Sequence, residues 1–126
     1  MHDKTLRLKK IATFFSENIK LDNKSQRNLK DSINICKNDL VSELVREFPS
    51  LQGIMGFYYS QQSGFNNVVC SAIKEQYKPN GPNDSCPSTK LSKILALIDK
   101  MDTLVGLFII DLEPTSSKDP YALRRS

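Results

Sequence analysis

Hydrolysis by a metal-bound water needs imidazole and carboxylate ligands that hold the ion and lower the pKa of its water. This chain has one histidine, His2, beside the initial methionine. A Cys–His dyad would rest on that same terminal residue, in the part of a chain that frays first. The three cysteines, Cys36, Cys70 and Cys86, have spacings that fit no CxxC or zinc pattern, and an odd number cannot pair fully within one chain. No glycine-rich phosphate loop and no GxSxG motif is present. The chemistry left is cationic. Residues 1–37 hold nine basic side chains against four acidic ones, whereas the remainder is close to neutral, within a formal net charge of +4. A basic face meets RNA phosphates by releasing counterions. The same residues also suit a solvated helix surface that keeps a domain soluble, and charge alone favours that second reading.

These side chains have to be carried on helices. In residues 3–19, Leu8, Ile11, Phe15 and Ile19 form a stripe with Ala12 and Phe14 beside it, flanked by Lys9 and Lys10. Leu21 to Lys24 reads as a polar turn, and Ser25 as the N-cap of a helix carrying Leu29, Ile33 and Cys36. Leu40, Val41, Leu44, Val45 and Phe48 continue that spacing, so residues 25–47 form one bent helix or two, ended by Pro49. Residues 50–62 read as a helix with Leu51, Ile54, Met55, Tyr58 and Tyr59 on its stripe. Gly53 and Gly56 lie within it, for close helix approach in the favoured reading or for close approach of a partner backbone in the other, and Gly64 stops it. Asn67 to Tyr77 form the next helix, with Val69, Ala72 and Ile73 inward. Residues 78–88 are rich in turn formers. Ser88 is then the expected cap of the longest helix, 89–110, whose inward face runs from Leu91 through Ile94, Leu95 and Ile98 to Met101, Leu104, Val105 and Phe108. Pro114 to Lys118 is a polar loop, and Asp119-Pro120 starts a last helix.

A chain of 126 residues with 39% hydrophobic content is the size of one domain and can bury a core. Low glycine content and strong helix formers disfavour an all-β fold. The most apolar run, Leu104 to Leu112, falls well short of the roughly 18 residues that span a bilayer. Residues 1–20 lack the compact apolar core of a secretory signal. Cys36 and Cys70 fall on apolar helical faces and Cys86 in a loop, a usage that fits a reducing cytoplasm. The expectation is therefore an all-α single domain over 1–126, of about six or seven helices, without a membrane span.

Three runs carry a resemblance. Residues 38–56 hold Asn-Asp-Leu-Val, then Glu-Phe-Pro, then Leu-Gln-Gly-Ile-Met-Gly; residues 99–108 read Asp-Lys-Met-Asp-Thr-Leu-Val-Gly-Leu-Phe; residues 114–125 read Pro-Thr-Ser-Ser-Lys-Asp-Pro-Tyr-Ala-Leu-Arg-Arg. In this order they closely resemble the β subunit of bacterial glycyl-tRNA synthetase, the α2β2 type of glycine–tRNA ligase. The match is strongest at 36–59 and 96–125, weaker at 3–12 and poor at 78–90. The family has glycines near 110–111 and at 116, where this chain has Ile110, Asp111 and Ser116, and often a basic residue after Gly56, where it has Phe57. The family's subunit is far larger, so the chain reads as an internal piece of it, an excised domain or the product of a split gene.

The resemblance implies a degenerate HD domain. An HD phosphohydrolase uses a histidine, a His-Asp pair and a later aspartate around a metal. Here the pair reads Asn38-Asp39 and the later position is Asp99, so an intact metal site is not expected. Asp39 and Asp99 would be structural, capping or pairing with Lys37 or Lys100. Catalytic residues are expected to be absent. The family's adenylate-forming site belongs to the α subunit, and ATP is used by the complete enzyme. The implied role is service to glycine–tRNA ligase through tRNA contact and subunit scaffolding, with tRNA-Gly, the α subunit and the remaining β-subunit segments as partners. The RNA-binding candidates are Lys9, Lys10, Arg27, Lys30, Lys118, Arg124 and Arg125. The alternatives are an orphaned protein-interaction module without catalytic activity and, least favoured by the histidine count, an independent phosphohydrolase.

Overall fold

The computed structural model describes residues 2–109, with side chains over 3–106. Among these residues the fold is all-α: α1 (His2–Ile19), α2 (Asn23–Ile35), α3 (Glu43–Glu47), α4 (Ile54–Gln62), α5 (Asn67–Glu75) and α6 (Lys90–Ile109), with short 3-10 turns at Asn38–Val41 and Pro49–Leu51. The expected loop at 114–118 and the helix from Asp119 lie outside the described residues.

Helix α5 sits at the centre, packed against α2, α4 and α6, and α1 closes the bundle by lying on α2 and α6. The reason is visible in its composition. Val69, Cys70, Ala72 and Ile73 are all fully buried, so nearly half of this short helix is core. Leu8 of α1, Leu29 and Ile33 of α2, and Leu95 and Ile98 of α6 join them in one core. Burying each such aliphatic side chain contributes about 1.5–3 kcal/mol, enough in sum to hold short helices that would not form alone. The inward residues read for α2 and α5 are in this core, as is the first half of the α6 stripe. Beyond Ile98 Met101 and Val105 are exposed and Leu104 is half-buried, and the side chain of Phe108 lies outside those described.

The helix starts correct several details. Asp22, not Ser25, caps α2, its carboxylate accepting from Ser25 N at 3.3 Å. Thr89, not Ser88, caps α6: Thr89 Oγ1 accepts from Ser92 N at 3.1 Å, while Ser88 is bound by the Glu75 carboxylate. Asn66 caps α5 by accepting from Val69 N at 3.0 Å. Residues 25–47 are neither one bent helix nor two plain ones. The chain leaves α2 at Cys36, makes a 3-10 turn, and begins α3 at a Ser42 cap that accepts from Val45 N. Pro49 does not end α3 directly; it opens the second 3-10 turn, where a missing amide costs nothing.

The largest correction concerns α4. Gly53 lies before the helix, not inside it, at φ +82°, a left-handed conformation that a side chain would strain. The buried positions of α4 are Gly56 and Ser60, whereas Ile54, Tyr58 and Tyr59 of the expected stripe are exposed. A Cβ at Gly56 would come within 2.7 Å of Ile73 Cγ2, so the absence of a side chain is what lets α4 lie against α5. Close approach was the expected use of this glycine.

Candidate nucleic-acid interface

The acidic positions that a metal site would need are spent on internal structure. Asp39 is 1% exposed. Its Oδ2 accepts from Gly53 N at 2.7 Å, and its Oδ1 has no hydrogen-bond partner among the described residues. A carboxylate at the start of α4 satisfies an amide there and complements the positive end of the helix. Asp99 meets two ammonium groups, Lys37 Nζ at 3.1 Å and Lys4 Nζ at 3.2 Å, one on each oxygen. Of the two partners expected for the aspartates, Lys37 is the one used. Asp99, with both oxygens facing ammoniums, does not fit a cation site. Asn38 is exposed. Among the described residues, no three His, Cys, Asp or Glu side chains form a set that could hold a metal ion.

The network extends further. Asp102 accepts from Arg7 Nε at 2.8 Å and from Arg7 Nη2 at 3.2 Å, a bidentate fork, and Lys4 Nζ lies 3.7 Å away. The hydrogen bonds to Asp102 hold the Arg7 guanidinium above its ordinary pKa. Lys37 is 6% exposed, donates to Tyr77 Oη at 3.2 Å and stands 4.3 Å from the Tyr77 ring centroid. Burial, then the nearby carboxylates of Asp39 and Asp99, pushes the Tyr77 hydroxyl well above its usual range, so it stays a neutral partner. Burial likewise pushes the Cys36 thiol up to about 11. Thus Lys4, Arg7 and Lys37, three of the basic residues in the first third, are bound to α6.

The others are not. Lys9, Lys10, Arg27 and Lys30 are exposed and take part in no ion pair among the described residues. Three of them come together. Lys9 from α1 and Arg27 and Lys30 from α2 line a groove of about 680 Å³ between the two helices. Its remaining lining includes Ala12, Leu29 and Ile33, the polar side chains Thr13, Ser16, Asn23 and Gln26, and one acid, Glu17. Lys10 is outside the groove lining. The groove exists because the connection from Lys20 to Asp22 is short. Lys20 at φ +56° turns the chain at the end of α1, and α2 must then pack back along it. Helical spacing brings Lys9, Thr13 and Ser16 to one side of α1, the side that meets α2 in the groove. The polar groove residues and the partners Lys4, Arg7 and Asp102 were not anticipated. Lys118, Arg124 and Arg125 lie outside the described residues. Phe57 is half-buried and has Lys74 Nζ 5.3 Å from its ring centroid.

The arrangement is that of an all-α domain whose buried acids are locked by lysine and arginine and whose open groove is basic. A family model described as glycyl-tRNA synthetase beta subunit matches residues 1–126, and the chain belongs to that family. A protein named glycine–tRNA ligase beta subunit from Rickettsia peacockii is 46% identical over 125 residues, covering 99% of this chain and 18% of that protein. Its counterpart from Rickettsia typhi is 56% identical over 91 residues, covering 72% of this chain and 14% of that protein. The one from Rickettsia felis is 47% identical over 125 residues. The chain thus spans less than a fifth of the length of these relatives.

Proposed function

We propose that the chain serves glycine–tRNA ligase as a helical part of the β subunit, supporting ATP-dependent attachment of glycine to tRNA-Gly through tRNA contact and subunit scaffolding. The α subunit and other β-subunit segments are its protein partners in this reading, and the cytoplasm is its compartment. ATP belongs to the complete enzyme. Asn38, Asp39 and Asp99 are read as the residue of an HD pattern turned to structural use. One observation supports the RNA contact: Lys9, Lys10, Arg27 and Lys30, like Lys20 and Lys24, stay exposed and take part in no ion pair among the described residues, while Lys4, Arg7 and Lys37 are held in ion pairs with α6. A second observation supports scaffolding. Residues 41–59 leave Val41, Leu44, Phe48, Ile54 and Tyr58 exposed, more apolar surface than a solvated segment requires. No helix among the described residues is long and apolar enough to cross a membrane.

The test is binding of the chain to tRNA-Gly and to a non-cognate tRNA across a salt series. Charge reversal at Lys9, Lys10, Arg27 and Lys30 is expected to weaken binding and flatten its salt dependence, because each phosphate left without its cation takes about 0.7–0.9 off the log–log slope. Unchanged binding removes the RNA role and leaves a scaffold. For the scaffold, a concentration-dependent sedimentation profile is the supporting result.

A further inference from the structure

Between α5 and α6 the chain runs Lys78-Pro79-Asn80-Gly81-Pro82-Asn83-Asp84, and Asn80 is the only asparagine in the sequence followed by glycine. The side-chain carbonyl carbon of an asparagine is within ring-closing reach of the backbone nitrogen of the next residue. Attack needs that nitrogen free, the side chain free, and no Cβ crowding the approach. All three conditions hold here. Gly81 N and the Asn80 side chain make no hydrogen bond among the described residues. Asn80 is exposed, and apart from its chain neighbours nothing described lies within 4 Å of where a Gly81 Cβ would stand. Only the amide of Asn80 is fixed, donating to Asp84 Oδ2 at 2.9 Å. Other asparagines show the contrast. Asn83, in the same loop, is followed by Asp84, whose N is occupied in donating to Gly81 O at 3.2 Å. Asn18 gives its amide to Phe14 O at 2.8 Å, and Asn28 and Asn66 bind each other at 2.9 Å.

We propose that Asn80 is a self-modification site, at which Gly81 N attacks Asn80 Cγ and the chain closes into a cyclic imide that water opens to an acid. The proton of the Gly81 amide passes to solvent base, the N–Cγ bond forms, and the Cγ–Nδ2 bond breaks with ammonia as the leaving group. Addition of water at Cγ then gives aspartate on an unchanged backbone. Addition at the Asn80 backbone carbonyl carbon gives isoaspartate, with a free α-carboxylate and the backbone lengthened by the Cβ methylene. Water is consumed and ammonia released, and no other reactant is needed. Either product puts a new carboxylate on the residue whose amide the Asp84 carboxylate holds, and like charges so close oppose that turn. The start of α6 is anchored separately, by Ser88 on Glu75 and by the Thr89 cap, so the change stays in the loop.

The experiment incubates the full chain in mildly alkaline buffer, folded and in urea. Digestion with pepsin in acid and tandem mass spectrometry then separate asparagine, aspartate and isoaspartate at each position. The folded chain is expected to convert Asn80 ahead of every other asparagine, to a mixture of both acids, at the rate seen in urea. Asn83 should convert more slowly folded than in urea. Gly81→Ala is expected to slow conversion of Asn80 about tenfold. Its Cβ enters open space at a glycine outside the left-handed region, so the loop itself is kept. A folded rate at Asn80 well below the urea rate, a rate no higher than that of Asn83, or a parental rate in Gly81→Ala overturns the site. Melting curves of fresh and aged chain should coincide, and a lower melting point after ageing overturns the confinement to the loop.

Discussion

Lys37 Nζ lies 3.1 Å from Asp99 Oδ2, with only 6% of the lysine side chain exposed, so a charge pair sits inside the bundle where α6 passes the end of α2. Its geometry is completed by Tyr77 Oη at 3.2 Å and by Lys4 on the other carboxylate oxygen. Such a pair stabilises little relative to a packed apolar substitute. Breaking one half of it is costly, because the remaining charge stays buried.

Lys37→Met is therefore expected to destabilise the chain by about 3 kcal/mol, at the low end for a broken buried pair because Lys4 still faces Asp99. Lys100→Met, a neighbour on α6 with no ion pair among the described residues, should stay within about 0.5 kcal/mol of the parent. Urea unfolding midpoints at constant slope measure both. Equal midpoints for the two variants would show that the Lys37–Asp99 pair contributes no specific stability.

Glycine positions give a second, opposed pair of outcomes. A Cβ at Gly56 would meet Ile73 Cγ2 at 2.7 Å and Asp39 Oδ2 at 3.2 Å, so Gly56→Ala forces α4 away from α5 and should cost about 1–3 kcal/mol. At Gly106, within α6, no atom of the described residues lies within 4 Å of the same atom. Gly106→Ala should stabilise by about 0.5–1 kcal/mol through helix propensity alone. Thermal melting separates the two by sign. A neutral Gly56→Ala would mean that the α4–α5 contact relaxes freely.

Acid should loosen the turns before the core. Asp22 is held below the ordinary aspartate value of 3.8 by its hydrogen bond with Ser25, and Asp84 is held below it by the backbone amides of Asn80 and Ser85. For a carboxylate whose folded pKa is depressed, the stabilisation is fully present above the unfolded value and is lost as pH falls through the folded one. Stability is thus expected to fall as pH drops below about 4. Asp22→Asn keeps a capping oxygen without the titration, so its acid limb should be shallower than the parent's. Identical pH profiles would remove Asp22 from the acid response.

What the residue pattern conveyed, and what it withheld, divides along physical lines. Val69, Ala72 and Ile73 announced the buried side of α5, because a helix enclosed by three neighbours must be apolar at helical spacing. The α4 stripe misled because periodicity weighs large side chains. There the packing is done by Gly56 and Ser60, and Ile54, Tyr58 and Tyr59 are left outside. A lysine is a surface residue by default, and only the fold reveals Lys37 as buried. Its pairing with Asp99 was legible as one of two choices. Arg7 with Asp102 was not, since the two are 95 residues apart and no local spacing connects them. The basic set Lys9, Arg27 and Lys30 was legible as charge. The groove was not, because it depends on α1 and α2 facing each other.

The Lys4–Arg7 lock on α6 also sets the angular phase of α1. At 3.6 residues per turn, Lys4 and Arg7 lie about 60° apart around the axis, whereas Lys9 stands about 160° from Arg7, on the other side of the helix. Holding the first pair against Asp99 and Asp102 therefore turns Lys9, Thr13 and Ser16 toward α2. The two carboxylates of α6 act as a rotational stop for a surface they never touch. Inserting one residue between Arg7 and Lys9 would turn the groove side by about 100° while changing neither charge nor hydrophobicity. The spacing of α1, as much as its composition, is what the lock preserves.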